Sequence, residues 1–175
     1  DHYASWYLYN TRTKPHYVPS TPTANLMVKR KVFKDVGLFK EKIKAGEDVE
    51  FGARLHQAGY TFYCQNKAMV YHYNRTNLKD FLQHGYKWGY FGSSIRINNP
   101  HTKYHYLFPA NVFLATLLFL PLFLVQTAYI ISRWLKVRDF RVLFYSPLIF
   151  IRCLSYQWGV LRQTVEYVNK TKASR

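Results

Sequence analysis

The segment from residue 104 to residue 132 contains no Lys, Arg, Asp or Glu, and no other feature constrains the fold so strongly. If Leu107–Ile131 is helical, it is about 37 Å long at about 1.5 Å per residue, whereas the hydrocarbon core of a bilayer is about 30 Å thick. Aromatic residues of the kind found at membrane interfaces lie near its ends: Tyr104, Tyr106 and Trp134. The sequence therefore predicts a transmembrane helix, with Pro109 in its first turn and a kink at Pro121.

The segment that follows leaves three arrangements open. Val142–Leu161 is apolar but contains Arg152, which costs about 2.5–3.5 kcal/mol at a bilayer centre. A second spanning helix would also leave the basic linker, residues 133–141, on the outer side, against the positive-inside tendency. The alternatives are an amphipathic helix in the membrane interface and a kinked, re-entrant first segment.

The chain is strongly basic, because 25 Lys and Arg against 9 Asp and Glu give a net charge of +16. This balance favours anionic partners such as nucleic acid, an anionic membrane surface or phosphate-bearing ligands. No known nucleic-acid motif is visible, and basic flanks beside an apolar segment indicate the cytoplasmic leaflet. Cys64 and Cys153 have neither disulfide nor metal-site spacing, which fits a reducing compartment.

An acidic triplet stands out before the apolar part, within Gly46-Glu47-Asp48-Val49-Glu50. It opens a predicted helix, Asp48–Gln57, which ends at Gly59. Carboxylates at a helix N-terminus are stabilised by its exposed N–H groups and dipole, so Glu47 and Asp48 could serve only as caps. The other elements predicted before residue 77 are a helix over 31–36 and strands over 26–30, 60–64 and 68–71, after an irregular connection over 1–22.

A longer helix is predicted over Leu78–Tyr90, with Asn77 as N-cap and Asp80 three residues on in a capping-box-like pair. Gly85, Gly89 and Gly92 recur along it, although glycine is costly in a helix interior. The spacing therefore indicates close approach of a ligand or of a second helix. Asn99-Pro100 ends the pattern.

Several short motifs follow one another in a fixed order. They are Thr23-Ala24-Asn25-Leu26-Met27-Val28-Lys29-Arg30, Val32-Phe33-Lys34-Asp35-Val36-Gly37-Leu38-Phe39, Ala45-Gly46-Glu47-Asp48-Val49-Glu50-Phe51, Arg54-Leu55 with Ala58-Gly59-Tyr60, and Val70-Tyr71-His72. Their order resembles the acceptor-side half of family 2 glycosyltransferases over roughly residues 20–95. The resemblance implies an α/β fold: residues 1–103 as the C-terminal half of a GT-A domain with a Rossmann-like mixed sheet. Residues 104–175 then form a membrane-anchoring region, with a transmembrane helix and an amphipathic or second membrane helix.

Taken together with the apolar segment and its basic flanks, the resemblance predicts a membrane-bound, inverting glycosyltransferase whose catalytic part faces the cytoplasm. It would move a sugar from a nucleotide-sugar donor to a lipid-linked or glycan acceptor. In the family an Asp-x-Asp motif holds the metal, Mg²⁺ or Mn²⁺, and the donor diphosphate, and this chain has none. The family's donor-binding half normally precedes the part seen here, so we expect the chain to be a fragment.

The resemblance also implies roles for single residues. Asp48 would be the base that takes the proton of the acceptor hydroxyl, and Glu47, a neighbouring like charge, would raise its pKa. His72 would complete the metal site as an imidazole ligand. Asn25 would lie near the acceptor, and Arg75, like Arg54, is a candidate for phosphate contact.

His84-Gly85-Tyr86-Lys87-Trp88 resembles the Gln/Arg-x-x-Arg-Trp motif of processive members, with His and Lys substituted. Lys lacks the bidentate fork of Arg, so the substitutions argue against a polymerising enzyme. Lys87 could still offset the charge of the leaving diphosphate. Trp88 could stack on a sugar or anchor the chain at the membrane interface.

Two other classes of function remain open from the sequence. One is a basic membrane-associated binding protein without catalysis, in which basic and aromatic side chains engage anionic lipid or nucleic acid. The other is a degenerate glycosyltransferase that serves as a partner subunit.

Overall fold

The computed structural model describes residues 15–18, 23–43, 45–65, 67–68, 70–71, 73, 75–102 and 104–174. These residues form a mixed α/β structure that is mostly helical. Its elements in chain order are β1 (His16–Val18), α1 (Arg30–Val36), α2 (Glu47–Gln57), β2 (Phe62–Cys64), α3 (Leu78–Asn98), α4 (Val112–Lys136), α5 (Arg141–Phe144) and α6 (Ser146–Ala173).

The sheet consists of β1 and β2, which pair antiparallel with Tyr17 opposite Tyr63. The strand predicted over 60–64 is confirmed in a shorter form. The prediction that residues 1–22 are irregular is wrong for His16–Val18. This strand forms because β2 offers it a ladder, and the rings of the tyrosine pair meet edge to face at 5.3 Å between centroids.

Two other predicted strands are absent from the described residues. Leu26 and Val28 are half-buried against the apolar cluster around α2, but no neighbouring strand takes up their backbone hydrogen bonds, and Arg30 already begins α1. The described residues of 68–71 are likewise in no strand. An alternating apolar pattern can be satisfied by packing alone, whereas a strand also requires a partner.

The first apolar core joins α1, α2 and β2. Phe51 of α2 is 1% exposed and stacks on Phe33 of α1 at 5.5 Å between ring centroids. The predicted end of α1 is confirmed, since Gly37 has a φ of +80° and its N–H donates to the carbonyl of Phe33 at 3.0 Å. This core fixes the position of α2 relative to α1 and β2.

The predicted cap of α3 is confirmed. The Asn77 side chain accepts a hydrogen bond from the Asp80 N–H at 2.8 Å, and its amide donates to the Asp80 carboxylate at 2.6 Å. The helix runs to Asn98, eight residues beyond the predicted end, and stops at the predicted Asn99-Pro100 break. Packing on α6 compensates for the helix-weakening glycines that made the shorter prediction reasonable.

Gly85 and Gly89 of α3 mark close approach of a second helix, one of the two predicted explanations, whereas Gly92 faces a side chain of α3 itself. A Cβ atom on Gly89 would lie 1.9 Å from the carbonyl oxygen of Tyr156, and one on Gly159 would lie 2.2 Å from the carbonyl oxygen of Tyr86. The backbones of α3 and α6 therefore touch directly, and no side chain fits between them at these positions.

The apolar segment forms α4, a single helix of 25 residues that is long and apolar enough to cross a membrane. Its N-cap is Asn111, whose side chain accepts from the Leu114 N–H at 3.0 Å. The prediction that Pro109 lies in the first turn is therefore wrong, because a local cap begins the helix two residues later. Pro121 lies inside the helix, as predicted.

Helix α6 runs back along α4. The Gln157 amide donates to the Gln126 side-chain oxygen at 3.2 Å, and the Thr164 hydroxyl donates to the Pro109 carbonyl at 3.4 Å. Arg152 is 6% exposed and lies inside the bundle, with its guanidinium 5.7 Å from the centre of the Phe81 ring. Among the helices in the described ranges only α4 meets the length and hydropathy criteria for a membrane span, so a second spanning helix is not shown.

Substitution of Gly89 by Ala should lower the free energy of unfolding by about 1–3 kcal/mol, because the added methyl group meets backbone that cannot move away without parting α3 from α6. Thermal or denaturant unfolding in detergent measures the effect. Gln83→Ala, at an exposed position of α3, is the matched control and should change stability by no more than about 0.5 kcal/mol. Equal stability of the two variants would contradict the backbone contact.

Candidate active site

The acidic triplet lies in the first turn of α2, as predicted, and this N-terminal end is called the mouth of α2 below. The helix begins at Glu47, one residue earlier than expected. Gly46 precedes it in the left-handed conformation, with a φ of +83°. A Cβ atom on Gly46 would lie 2.7 Å from Cδ1 of Ile95 and 3.9 Å from Cα of Gly92. A glycine is therefore required at position 46 for two reasons: the backbone angle is left-handed, and a side chain would prevent the close contact between the start of α2 and α3.

Asp48 is half-buried at this mouth, and its Oδ1 accepts from the Val49 N–H at 2.8 Å. Burial is the largest influence on the pKa of its carboxyl and raises it. The charge of Glu47 raises it further, as predicted, while the Val49 hydrogen bond and the charge of Arg96 lower it. The net pKa lies above the ordinary Asp value, a direction that suits a proton acceptor.

The other carboxylate of the pair contacts the chain upstream. Glu47 accepts a hydrogen bond from the Thr23 hydroxyl at 3.4 Å. Thr23 opens a single 3-10 turn that ends at Asn25, whose exposed side chain donates to the Ala68 carbonyl at 2.9 Å. The structure thus brings the 23–25 turn to the acidic pair and ties it to the segment after β2.

Arg96 is a candidate site residue that the sequence interpretation missed. Its Nη1 donates to the Gly92 carbonyl at 3.0 Å, and its guanidinium carbon lies 4.8 Å from the centre of the Phe108 ring. A Cβ atom on Gly92 would approach Nη1 to 2.9 Å, so the glycine makes room for the guanidinium. The spacing of four residues was visible in the sequence, but the helix was predicted to end before reaching it.

Glu50 has a structural role: through Arg54 it links α2 to the turn that follows α1. The residue is 3% exposed. Its carboxylate accepts three hydrogen bonds from Arg54, at 2.9, 3.1 and 2.9 Å, and forms an ion pair with Lys40 at 2.6 Å. Arg54 also donates to the Val36 carbonyl and, at 2.9 Å, to that of Leu38.

The expectation that Arg54 contacts phosphate is therefore not supported, because it pairs with the buried Glu50 instead. Its guanidinium is saturated by Glu50 and by the turn after α1. Burial alone would raise the pKa of Glu50, but the hydrogen bonds from Arg54 and Lys40 outweigh it, and the pKa lies below the ordinary Glu value.

The remaining predicted residues are spread along the chain. Lys87 is exposed on α3, nine residues before Arg96 and hence about half a turn around the helix from it. Trp88 is 40% exposed, and its ring meets that of His84 at 5.5 Å. Arg75 is exposed ahead of α3, and His72 lies outside the described residues.

A metal centre is not formed by the described residues alone. Within residues 15–174, masked positions excepted, no three His, Cys, Asp or Glu side chains come close enough to hold a metal ion. Glu47 and Asp48 supply only two neighbouring carboxylates.

Comparison with known proteins gives one family and two relatives. A family model described as "Glycosyl transferase family group 2" matches residues 2–161. Two proteins named "Pre-mycofactocin glycosyltransferase", from the CDC 1551 / Oshkosh and H37Rv strains of Mycobacterium tuberculosis, are each 31% identical over 87 residues. The match covers 49% of this chain but 18% of each relative. No solved structure matches.

Substitution of Glu50 by Gln should lower the free energy of unfolding by about 1–3 kcal/mol near neutral pH, because Arg54 loses its charged partner inside the fold. The pKa of Glu50 is depressed in the folded state, so its contribution is present above the ordinary Glu pKa and is lost as the pH falls through the folded value.

Unfolding followed between pH 3 and pH 8 should therefore show a stability difference between wild type and Glu50→Gln that closes under acid. Glu41→Gln, at an exposed carboxylate, is the control. A difference that stays constant with pH would count against the ion pair.

Proposed function

This chain belongs to glycosyl transferase family group 2, and from that premise we propose that it is the acceptor-side part of an inverting glycosyltransferase in which Asp48 is the general base. The observation that carries the proposal is the half-buried carboxylate of Asp48 at the mouth of α2, with its pKa raised by burial. The curated relatives are named as glycosyltransferases, which supports the same class of reaction.

The proposed reaction is a single displacement at the anomeric carbon of a nucleotide-sugar. The acceptor oxygen forms a bond to that carbon while the bond from the carbon to the leaving diphosphate oxygen breaks. The acceptor proton passes to the Asp48 carboxylate as the new bond forms. Attack from the face opposite the leaving group inverts the configuration, and a positioned base contributes about 10²–10⁴-fold to the rate.

Other residues would bind the substrates. We assign Asn25, beside the acidic pair, to the acceptor, because the Thr23–Asn25 turn already contacts Glu47. The exposed Lys87 would offset the leaving diphosphate, and Trp88 would stack on a sugar. Arg75 would contact phosphate.

A divalent metal, Mg²⁺ or Mn²⁺, belongs to the proposal for the whole protein. When bound, such an ion offsets the charge of the donor diphosphate. His72 remains its proposed ligand in this chain, and the described residues add no cluster to it. The chain spans less than a fifth of the length of its curated relatives, so donor binding is assigned to the remainder.

We propose that α4 anchors the protein in a membrane, with the site at the cytoplasmic surface and a lipid-linked acceptor. The outer face of α4 supports this, since its exposed side chains are large and apolar: Phe113, Leu117, Leu120, Leu124 and Val125. Phe108, four residues before α4, contacts Arg96 at the end of α3. The candidate base and the start of the apolar helix thus lie near the same end of α3, where the headgroup of a membrane lipid would be within reach.

Asp48→Asn should reduce transfer by about 10²–10⁴-fold without loss of folding, because the amide cannot accept the acceptor proton. Turnover of a panel of UDP- and GDP-sugars by the full-length protein in membranes, with Mg²⁺ or Mn²⁺, measures the effect. Glu41→Gln is the matched control and should keep wild-type turnover.

The outcomes separate the classes of function. Near-normal turnover in Asp48→Asn would remove the assignment of the base. A folded wild-type protein that consumes no donor with either metal would instead indicate a degenerate partner subunit or a non-catalytic binding protein.

Replacement of Leu117 and Leu124 by Lys should release the protein from membranes, because each charge placed in the hydrocarbon core costs about 2.5–3.5 kcal/mol. The two side chains are 60% and 49% exposed and lie seven residues apart on one face of α4. Sedimentation after an alkaline carbonate wash measures release. The control carries Lys at two exposed polar positions, Gln83 and Asn169, and should stay in the membrane pellet; equal retention of both variants would contradict the anchor.

A further inference from the structure

Two arginines differ in how their charge is compensated: Arg54 belongs to α2, and Arg96 belongs to α3 and lies beside the N-terminus of α2. Arg54 makes hydrogen bonds to both oxygens of Glu50 and to the turn after α1, so its charge is compensated. Arg96 has no carboxylate within ion-pair distance in the described part of the chain. Its buried Nε also makes no hydrogen bond there.

The guanidinium of Arg96 is nevertheless fixed in place. Nη1 is held by the Gly92 carbonyl one turn earlier, and the ring of Phe108 covers the guanidinium at 4.8 Å. The missing side chain of Gly92 leaves the space that Nη1 occupies, and Gly46 packs against the same part of α3. An uncompensated charge is thereby held beside the mouth of α2, where partial burial limits its screening by solvent.

We propose that Arg96 is a positioning residue for the reaction: its fixed charge beside the N-terminus of α2 favours the ionised form of the Asp48 carboxylate, the form that accepts a proton, and so partly offsets burial and the charge of Glu47. The role in catalysis rests on the proposed function, whereas the electrostatic contact does not. Burial and the charge of Glu47 both favour the protonated acid, which cannot act as a base, and without Arg96 they would be opposed only by hydrogen bonds from the backbone.

The charged groups that act on Asp48 are few in the described residues. On its own helix Glu47 opposes ionisation, and on α3 Arg96 favours it. The 23–25 turn presents the uncharged Thr23 hydroxyl to Glu47, and Phe108 is apolar. Removal of Arg96 therefore takes away the positive charge that partly offsets the effect of Glu47 on Asp48.

The direct test is titration of Asp48 itself by ¹³C NMR. The protein is labelled at the Asp carboxyl carbon and held in detergent micelles, and the Asp48 signal is identified by its absence in Asp48→Asn. We expect the signal to titrate at higher pH in Arg96→Gln than in wild type, and near the wild-type pH in Arg96→Lys, which keeps the charge. An unchanged midpoint in Arg96→Gln, or an equal shift in Arg96→Lys, overturns the inference.

Lys79→Gln is the matched control for loss of one positive charge. Lys79 is exposed on α3, seventeen residues and about 26 Å along the helix from Arg96, well beyond a Debye length of about 8 Å. Its midpoint should equal that of wild type. A shift as large as that of Arg96→Gln would indicate net charge as the cause and would refute a specific contact.

The second measurement is the pH dependence of donor turnover. In Arg96→Gln the acid limb of the pH–turnover curve should move to higher pH. At the low-pH end of that limb, turnover relative to the variant's own plateau should fall by roughly threefold or more compared with wild type, since one pH unit corresponds to a tenfold change. Arg96→Lys should retain the wild-type limb. A shifted NMR midpoint together with full turnover in Asp48→Asn would leave the contact intact and reject the proposed function, whereas a shifted midpoint with an unmoved limb would reject the positioning role.

Discussion

The direct contact between the backbones of α3 and α6 is the constraint on which the helical part of the structure depends. Gly89 and Gly159 permit it, because a methyl group at either position would overlap a carbonyl oxygen of the facing helix. The same packing holds α3 as one helix to Asn98 despite its glycines. Its last turn then carries Ile95 and Arg96 to the mouth of α2, so the geometry of the acidic pair depends on a contact between two helices that carry no part of that pair.

The charged residues around α2 form two groups, one fully paired and one not. Below the helix, Glu50 and Arg54 satisfy each other and fasten the turn after α1, which is the arrangement expected of a rigid scaffold. At its mouth, Asp48 and Arg96 influence each other without forming an ion pair within 4 Å. Such incomplete compensation suits the base proposed for Asp48, because a tight ion pair would hold the carboxylate in its charged form and weaken it as a base.

The sequence predicted those features that local chemistry decides. The acidic start of α2 and the Asn77 cap each depend on a few neighbouring residues, and the long uncharged segment depends on its own composition; the structure has a helix start, a cap and a long apolar helix at these places. The sequence prediction failed where a distant partner decides. No strand among the described residues pairs with Leu26–Arg30, and His16–Val18 is a strand only because β2 lies beside it. Arg54 was misjudged and Arg96 was missed for the same reason, since the surroundings of a charged side chain depend on which elements pack over it.

Helix α3 is held by α6, which lies far along the chain, and this separation affects the order of folding during synthesis. The Ser155 hydroxyl bonds to Leu82 across 73 residues, and Tyr90 bonds to Glu166 across 76. When α3 leaves the ribosome, the helix that covers its glycine face has not yet been made, and the chain must close a loop of that length before the contact forms. The packing of α3 is therefore completed last, by residues that are synthesised only after the apolar helix has already emerged.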